Sequence, residues 1–203
     1  MASNIAAISS THLIVFKNCF IICYMNSNVL KNLLFNQSID YLKSIKEIDY
    51  KEVFGDESIY FKPVTCDEDL YYCCLDYQLE ELQKDLVNPP YVSISRAYTN
   101  PYAFYPFIIR DSNDNNIGFI SLNKWIGKEE ALSFSLLIDK RYQGKGYGTK
   151  AIKLAINILK AVNKDTPIKV ATEQINKKAQ ELYLSLGFKK LDELDGGDLV
   201  FAL

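Results

Sequence analysis

Hydrophobic periodicity changes several times along this chain, and each change marks an element. From Leu13 to Tyr24 (LIVFKNCFIICY) apolar residues run together, interrupted by Lys17 and Asn18. The run is shorter than the roughly 20 residues of a spanning helix. It also lacks the basic n-region and small-residue cleavage site of a secretory signal. It reads as a strand or a short buried segment. Met25 offers a plausible second start, MNSNVLKNLLF, which would leave the run without a role. Between Asn26 and Ser58, Leu30, Leu34, Tyr41, Leu42, Ile45 and Ile48 recur near helical spacing, predicting one or two amphipathic helices closed by a turn at Phe54-Gly55-Asp56. They would pack on a neighbouring domain or, alternatively, form a homodimer contact. Residues 1–57 are thus expected to be an N-terminal extension, and residues 58–203 the main domain.

After Gly55 the pattern becomes a strand at Ser58–Val64, then a helix over Cys66–Leu86 with Tyr71, Leu75, Leu79, Leu82 and Leu86 on one stripe. Pro89-Pro90 stops it, and Ser93–Tyr98 makes a second short helix. Strands follow at Tyr105–Arg110 and Ile117–Trp125, joined by the turn DSNDNN, and at Ala131–Ile138. Tyr147–Val162 is a strongly periodic helix, Ile168–Thr172 a strand and Lys177–Leu186 a helix. Phe188–Leu194 and Leu199–Leu203 form a closing hairpin around Gly196-Gly197. The order β-α-α-β-β-β-α-β-α-β-β is an α/β (α+β) layer arrangement.

Composition narrows the function classes. With 23 Lys and Arg against 25 Asp and Glu, there is no global basic field for nucleic acid. No apolar segment calls for a membrane. A single histidine, His12, excludes a His-rich metal site and argues against a His-dependent triad, so no metal is expected. The five cysteines are odd in number and contain no paired CxxC motifs, which suits reduced thiols in the cytoplasm.

The chemistry concentrates in Ile138–Thr149, IDKRYQGKGYGT. An apolar strand feeds a turn containing Gly144, Gly146 and Gly148, and a helix begins at once. Closely spaced glycines let bare N–H groups converge at the positive end of a helix, a ready site for a pyrophosphate. A Walker A loop would need Gly-Lys-Ser/Thr at its end, whereas Gly148 is followed by Thr149-Lys150. A Rossmann fingerprint would need G-x-G-x-x-G. The spacing here is Q-x-x-G-x-G, with Gln143, Gly146 and Gly148. Downstream stand Asn176, Ala179, Leu182, Tyr183, Gly187 and Phe188. On a helix Asn176, Ala179 and Tyr183 share one face.

These two segments resemble motifs A and B of the GNAT superfamily of acyl-CoA N-acyltransferases, over about residues 59–203. The resemblance implies a mixed sheet of about seven strands flanked by about four helices. It also implies acetyl-CoA as cosubstrate. Its pyrophosphate would lie on the loop Gln143, Gly144, Lys145, Gly146, Tyr147, Gly148 and Thr149, with Asn176 as a further contact. The strand Leu136-Leu137-Ile138 would bond the pantetheine amides, with an N–H near Leu137 polarising the thioester carbonyl. Tyr183 would be general acid for the departing thiolate. The fourth strand lacks the acid many members carry, which leaves Glu130, acting through a water, as the candidate base.

A small-molecule amine is the expected partner. Acids on Cys66–Leu86, notably Asp76 and Glu80, and others in the closing hairpin would draw in a cation. In addition, Gln83–Val87, Tyr91–Ala97 and Tyr105–Ile109 are similar to the early region of bacterial spermine/spermidine (diamine) acetyltransferases. A peptide or protein N-acetyltransferase, and a CoA-binding module without turnover, are the alternatives.

Overall fold

The computed structural model describes residues 50–125 and 129–203. The expected N-terminal strand, and the amphipathic stretch up to residue 49, lie outside the described residues.

Helix α1 (Tyr50–Phe54) leads into strand β1 (Ile59–Pro63), followed by helices α2 (Asp67–Tyr71) and α3 (Pro90–Thr99). Strands β2 (Phe104–Asp111), β3 (Asn116–Lys124) and β4 (Leu132–Ile138) come next, then helix α4 (Tyr147–Val162). The chain ends with β5 (Lys169–Thr172), α5 (Lys177–Ser185), β6 (Lys189–Asp195) and β7 (Asp198–Ala202). The order of elements from β1 onward is the one the hydrophobic pattern predicts. The DSNDNN turn is fixed by Asp111, whose carboxylate accepts the N–H groups of Asn113 and Asn115.

One sheet has the order β1-β2-β3-β4, antiparallel throughout, and the other the order β5-β7-β6. A single parallel bridge, Leu132 to Ile168, joins them. The Leu132 N–H reaches the Pro167 carbonyl at 2.9 Å. Beyond that point β4 and β5 separate, and the split between them positions the site.

The larger core lies on one face of the sheets. Phe61, Phe107, Ile120, Leu122 and Phe134 meet α4 there, through Ala151, Ile152, Ala155, Ile158 and Leu159, the stripe that 3.6-residue periodicity requires. A smaller cluster on the other face joins Ile108, Phe119 and Leu137 to Tyr72 and Cys73.

The continuous helix expected over Cys66–Leu86 does not form. Its first turn, α2, passes into a π-helical turn at Tyr72–Asp76, and the chain then runs extended to a 3₁₀ turn at Glu81–Gln83. The insertion shifts the expected stripe: Leu75 and Leu82 are 73% and 88% exposed, while Tyr72 and Cys73 are buried. The cause is competition for backbone hydrogen bonds. Gln78 gives its N–H to Asp139 Oδ2 (3.2 Å) and takes the Lys140 N–H on its carbonyl (2.8 Å). Neither group is then available to a helix.

Candidate active site

The glycine loop follows β4 directly. Asp139, fully buried, caps a 3₁₀ turn at Lys140–Tyr142 by accepting the Arg141 N–H at 2.9 Å. Its other partners are Arg141 Nε (2.9 Å), Arg141 Nη2 (2.7 Å) and the Gln78 N–H. Burial alone would raise the Asp139 pKa, but the Arg141 guanidinium and these N–H groups outweigh it and hold the carboxyl below the ordinary range. Gly144 and Gly146 take φ of 76° and 80°, a left-handed backbone that glycine adopts without strain. Gly146 is the N-cap of α4. A Cβ at either glycine would meet nothing within 4 Å, so the space in front of the loop is open.

That space belongs to a cleft of about 380 Å³. Of the residues singled out by sequence, Leu136, Leu137, Ile138, Gln143, Gly144, Gly146, Tyr147, Gly148, Thr149, Asn176 and Tyr183 line it together. Four do not. Lys145 turns back to the Arg141 carbonyl (3.2 Å) and lies over the Tyr142 ring. Glu130 is exposed and lies just before β4. Asp76 pairs with Arg141 (3.0 Å) and Glu80 with Lys140 (3.3 Å). Another acid of the same segment, Asp69, is buried against Lys62. In the closing hairpin, Glu193 shares the Lys169 ammonium with Glu129.

Gln143 turns its amide inward, giving Nε2 hydrogens to the Ile138 carbonyl and to Gln83 Oε1, both at 2.8 Å. Asn176 caps α5, its side chain accepting the Ala179 N–H at 3.2 Å. Tyr183 packs among Phe134, Phe188 and Phe201, with ring centroids 5.6–6.3 Å apart. Burial pushes its phenol pKa up to about 12, so the hydroxyl stays a proton donor at neutral pH.

The sequence reading gave the opposite wall of the cleft, Leu79, Gln83, Leu86 and Val87, no part in lining it. Its Leu79 and Leu86 belonged to a stripe expected to pack as a helix. The extended path of residues 77–80 turns these side chains to another use.

Antiparallel pairing also sorts the backbone of β4. The Asp139 N–H reaches the Ile117 carbonyl and the Trp125 N–H the Ala131 carbonyl, so odd-numbered residues of β4 exchange hydrogen bonds with β3. Those of Phe134, Leu136 and Ile138 therefore point away from β3, into the split. The open N–H expected near Leu137 belongs to Leu136.

A sequence profile described as the acetyltransferase (GNAT) family matches residues 69–188, more than half of the chain. The chain belongs to the acetyltransferase (GNAT) family. As a GNAT protein it is an acetyltransferase of a family that uses acetyl-CoA. Solved structures agree on the GNAT fold. An acetyltransferase from Agrobacterium tumefaciens superposes with a TM-score of 0.56 at 15% identity, over 72% of this chain and 91% of that one. A Vibrio cholerae protein assigned as a ribosomal-protein-serine acetyltransferase gives 0.55 at 20%, over 73% and 94%. The Vibrio cholerae spermidine N-acetyltransferase, solved with CoA and spermine, gives 0.52 at 17%, over 72% and 94%. No curated protein matches significantly. Among the described residues, no helix is long and apolar enough to cross a membrane.

Proposed function

We propose that this GNAT protein transfers the acetyl group of acetyl-CoA to a primary amine by direct attack, with a polyamine such as spermidine or spermine as acceptor. The observation that carries the transfer is the convergence of three devices in one cleft. These are the open Gly144–Gly146 loop at the α4 N-terminus, the unpaired backbone of Leu136, and the un-ionised Tyr183 hydroxyl. The loop N–H groups hold the pyrophosphate, Asn176 lies beside the cofactor arm, and the Leu136 N–H polarises the thioester carbonyl. The amine nitrogen bonds to the acetyl carbon as the C–S bond breaks. Tyr183 gives its proton to the departing thiolate, and the surplus proton on nitrogen passes to water, which restores the phenol. Glu130 is exposed and outside the lined cleft, so in this reading it acts only at a distance, through solvent.

The polyamine acceptor is supported by similarity over Gln83–Val87, Tyr91–Ala97 and Tyr105–Ile109, and by a fold shared with a spermine-bound enzyme. Asp76 and Glu80 serve this reading indirectly, by neutralising Arg141 and Lys140 beside the approach. The same ion pairs favour a second reading, acetylation of a protein α-amine, because they remove two carboxylates from direct contact with a cation. The free thiols Cys66, Cys73 and Cys74 suit a cytoplasmic setting. Thiol release from acetyl-CoA with spermidine, spermine, putrescine, amino acids and short peptides separates the readings. Turnover with polyamines alone supports the first, turnover with peptides alone the second. CoA binding without turnover overturns both.

A further inference from the structure

We propose that Ser135 positions the attacking amine, held ready by a relay through Asn123 and Ser121. The proposal rests on the acetyl transfer argued above and assigns a residue that reading leaves open. Strand β4 is one residue thick at the split, and its side chains alternate between two faces. Phe134 packs its ring on Tyr183 (6.3 Å), so that face belongs to the departing thiolate. Leu137 joins Ile108, Phe119, Tyr72 and Cys73 on the other face, and alternation places Ser133 and Ser135 there too. Register sets Ser121 directly opposite Ser135, and Asn123 opposite Ser133.

These four residues form a polar patch without a charged group. Ser121 is fully buried, and its hydroxyl donates to Asn123 Oδ1 at 2.6 Å. That bond fixes the Asn123 amide, whose Nδ2 then donates to Ser135 Oγ at 3.4 Å. Ser135 itself is exposed and precedes Leu136, whose N–H opens into the split. Its oxygen therefore keeps a lone pair free to accept an amine N–H. An amine held there has its nitrogen lone pair free to reach an acetyl carbon polarised by the next residue of the chain. Ser135 acts by orientation: the surplus proton goes to water, as above, and the hydroxyl never ionises.

The test is steady-state kinetics of the full chain with the best amine from the thiol-release panel. Ser135→Ala removes only the exposed hydroxyl, so melting temperature and KM for acetyl-CoA should match wild type. KM for the amine should rise and kcat/KM should fall about tenfold, the loss of one hydrogen bond. Ser135→Thr restores an oxygen at the same place and should recover activity to within about threefold. Unchanged kcat/KM in Ser135→Ala, with active wild type, overturns this proposal alone, as does equal loss in the alanine and threonine variants. A wild type that binds acetyl-CoA and acetylates no amine overturns the transfer reading, and this one with it.

Discussion

Gln143 on the glycine loop and Gln83 on the facing wall are joined by a 2.8 Å hydrogen bond across 60 residues of sequence. The bond belongs to a seam that includes Arg141 with Asp76, Lys140 with Glu80, and Gln78 with Asp139 and Lys140. Residues 76–83 are thereby fastened to the loop, and Leu79, Gln83, Leu86 and Val87 become the wall facing it across the cleft. Replacing Gln83 by Ala should raise KM for acetyl-CoA about threefold to tenfold and leave kcat nearly unchanged, the pattern of lost binding without lost chemistry. Calorimetric titration with CoA should reproduce the change.

Tyr183→Phe removes one oxygen from a ring that otherwise packs unchanged. We expect kcat to fall about 100- to 10,000-fold, the range of a positioned general acid, with acetyl-CoA affinity kept. The wild-type phenol titrates near 12, so its protonated form persists through the working range. No alkaline limb below about pH 10 should therefore trace to this residue. A limb that disappears in Tyr183→Phe would contradict the assignment.

Asp139→Asn leaves Arg141 without its buried counter-charge. A fully buried pair broken this way costs about 3–5 kcal/mol. The Arg141 side chain is 40% exposed, so about 2–3 kcal/mol is expected. The pH dependence has a definite sign. The folded-state pKa of Asp139 lies below its unfolded value, so its contribution is complete above the ordinary carboxylate range and is lost as pH falls through the depressed value. The gap in urea midpoint between wild type and variant should be full at neutral pH and narrow below about pH 3.

Gly146→Ala would hold alanine at φ 80°, a strain of about 1–2 kcal/mol. The protein offers the new methyl no clash, so any loss of CoA affinity beyond this strain measures how closely the cofactor approaches the loop. Gly144→Ala provides the parallel case at φ 76°. CoA affinity unchanged in both variants would place the pyrophosphate elsewhere.

Much of this was legible in the sequence because it is local. The α4 stripe and the left-handed glycines before it are each decided within a few residues, whereas Asn176, expected on a helix face with Ala179 and Tyr183, caps α5 instead. The segment after α2 was not, since its extended path depends on bonds to Asp139, Arg141 and Gln143, each 60 or more residues away. Asp76 and Glu80 looked like free carboxylates for the same reason: their partners are remote. Ser135 carried no signal in sequence, because its meaning comes from facing Ser121 across a strand pair.

The parting of β4 from β5 has a consequence for the protein without its ligand. An unpaired strand is ordinarily a liability, a template on which another chain can grow. Here it lies within a cleft, walled by the glycine loop on one side and by Leu79–Val87 on the other. A cofactor arm carrying amides can lie along Phe134–Ile138 and exchange hydrogen bonds as an added peptide strand would. Under the proposed transfer, acetyl-CoA would serve as the missing strand of an interrupted sheet, added on binding and withdrawn on release.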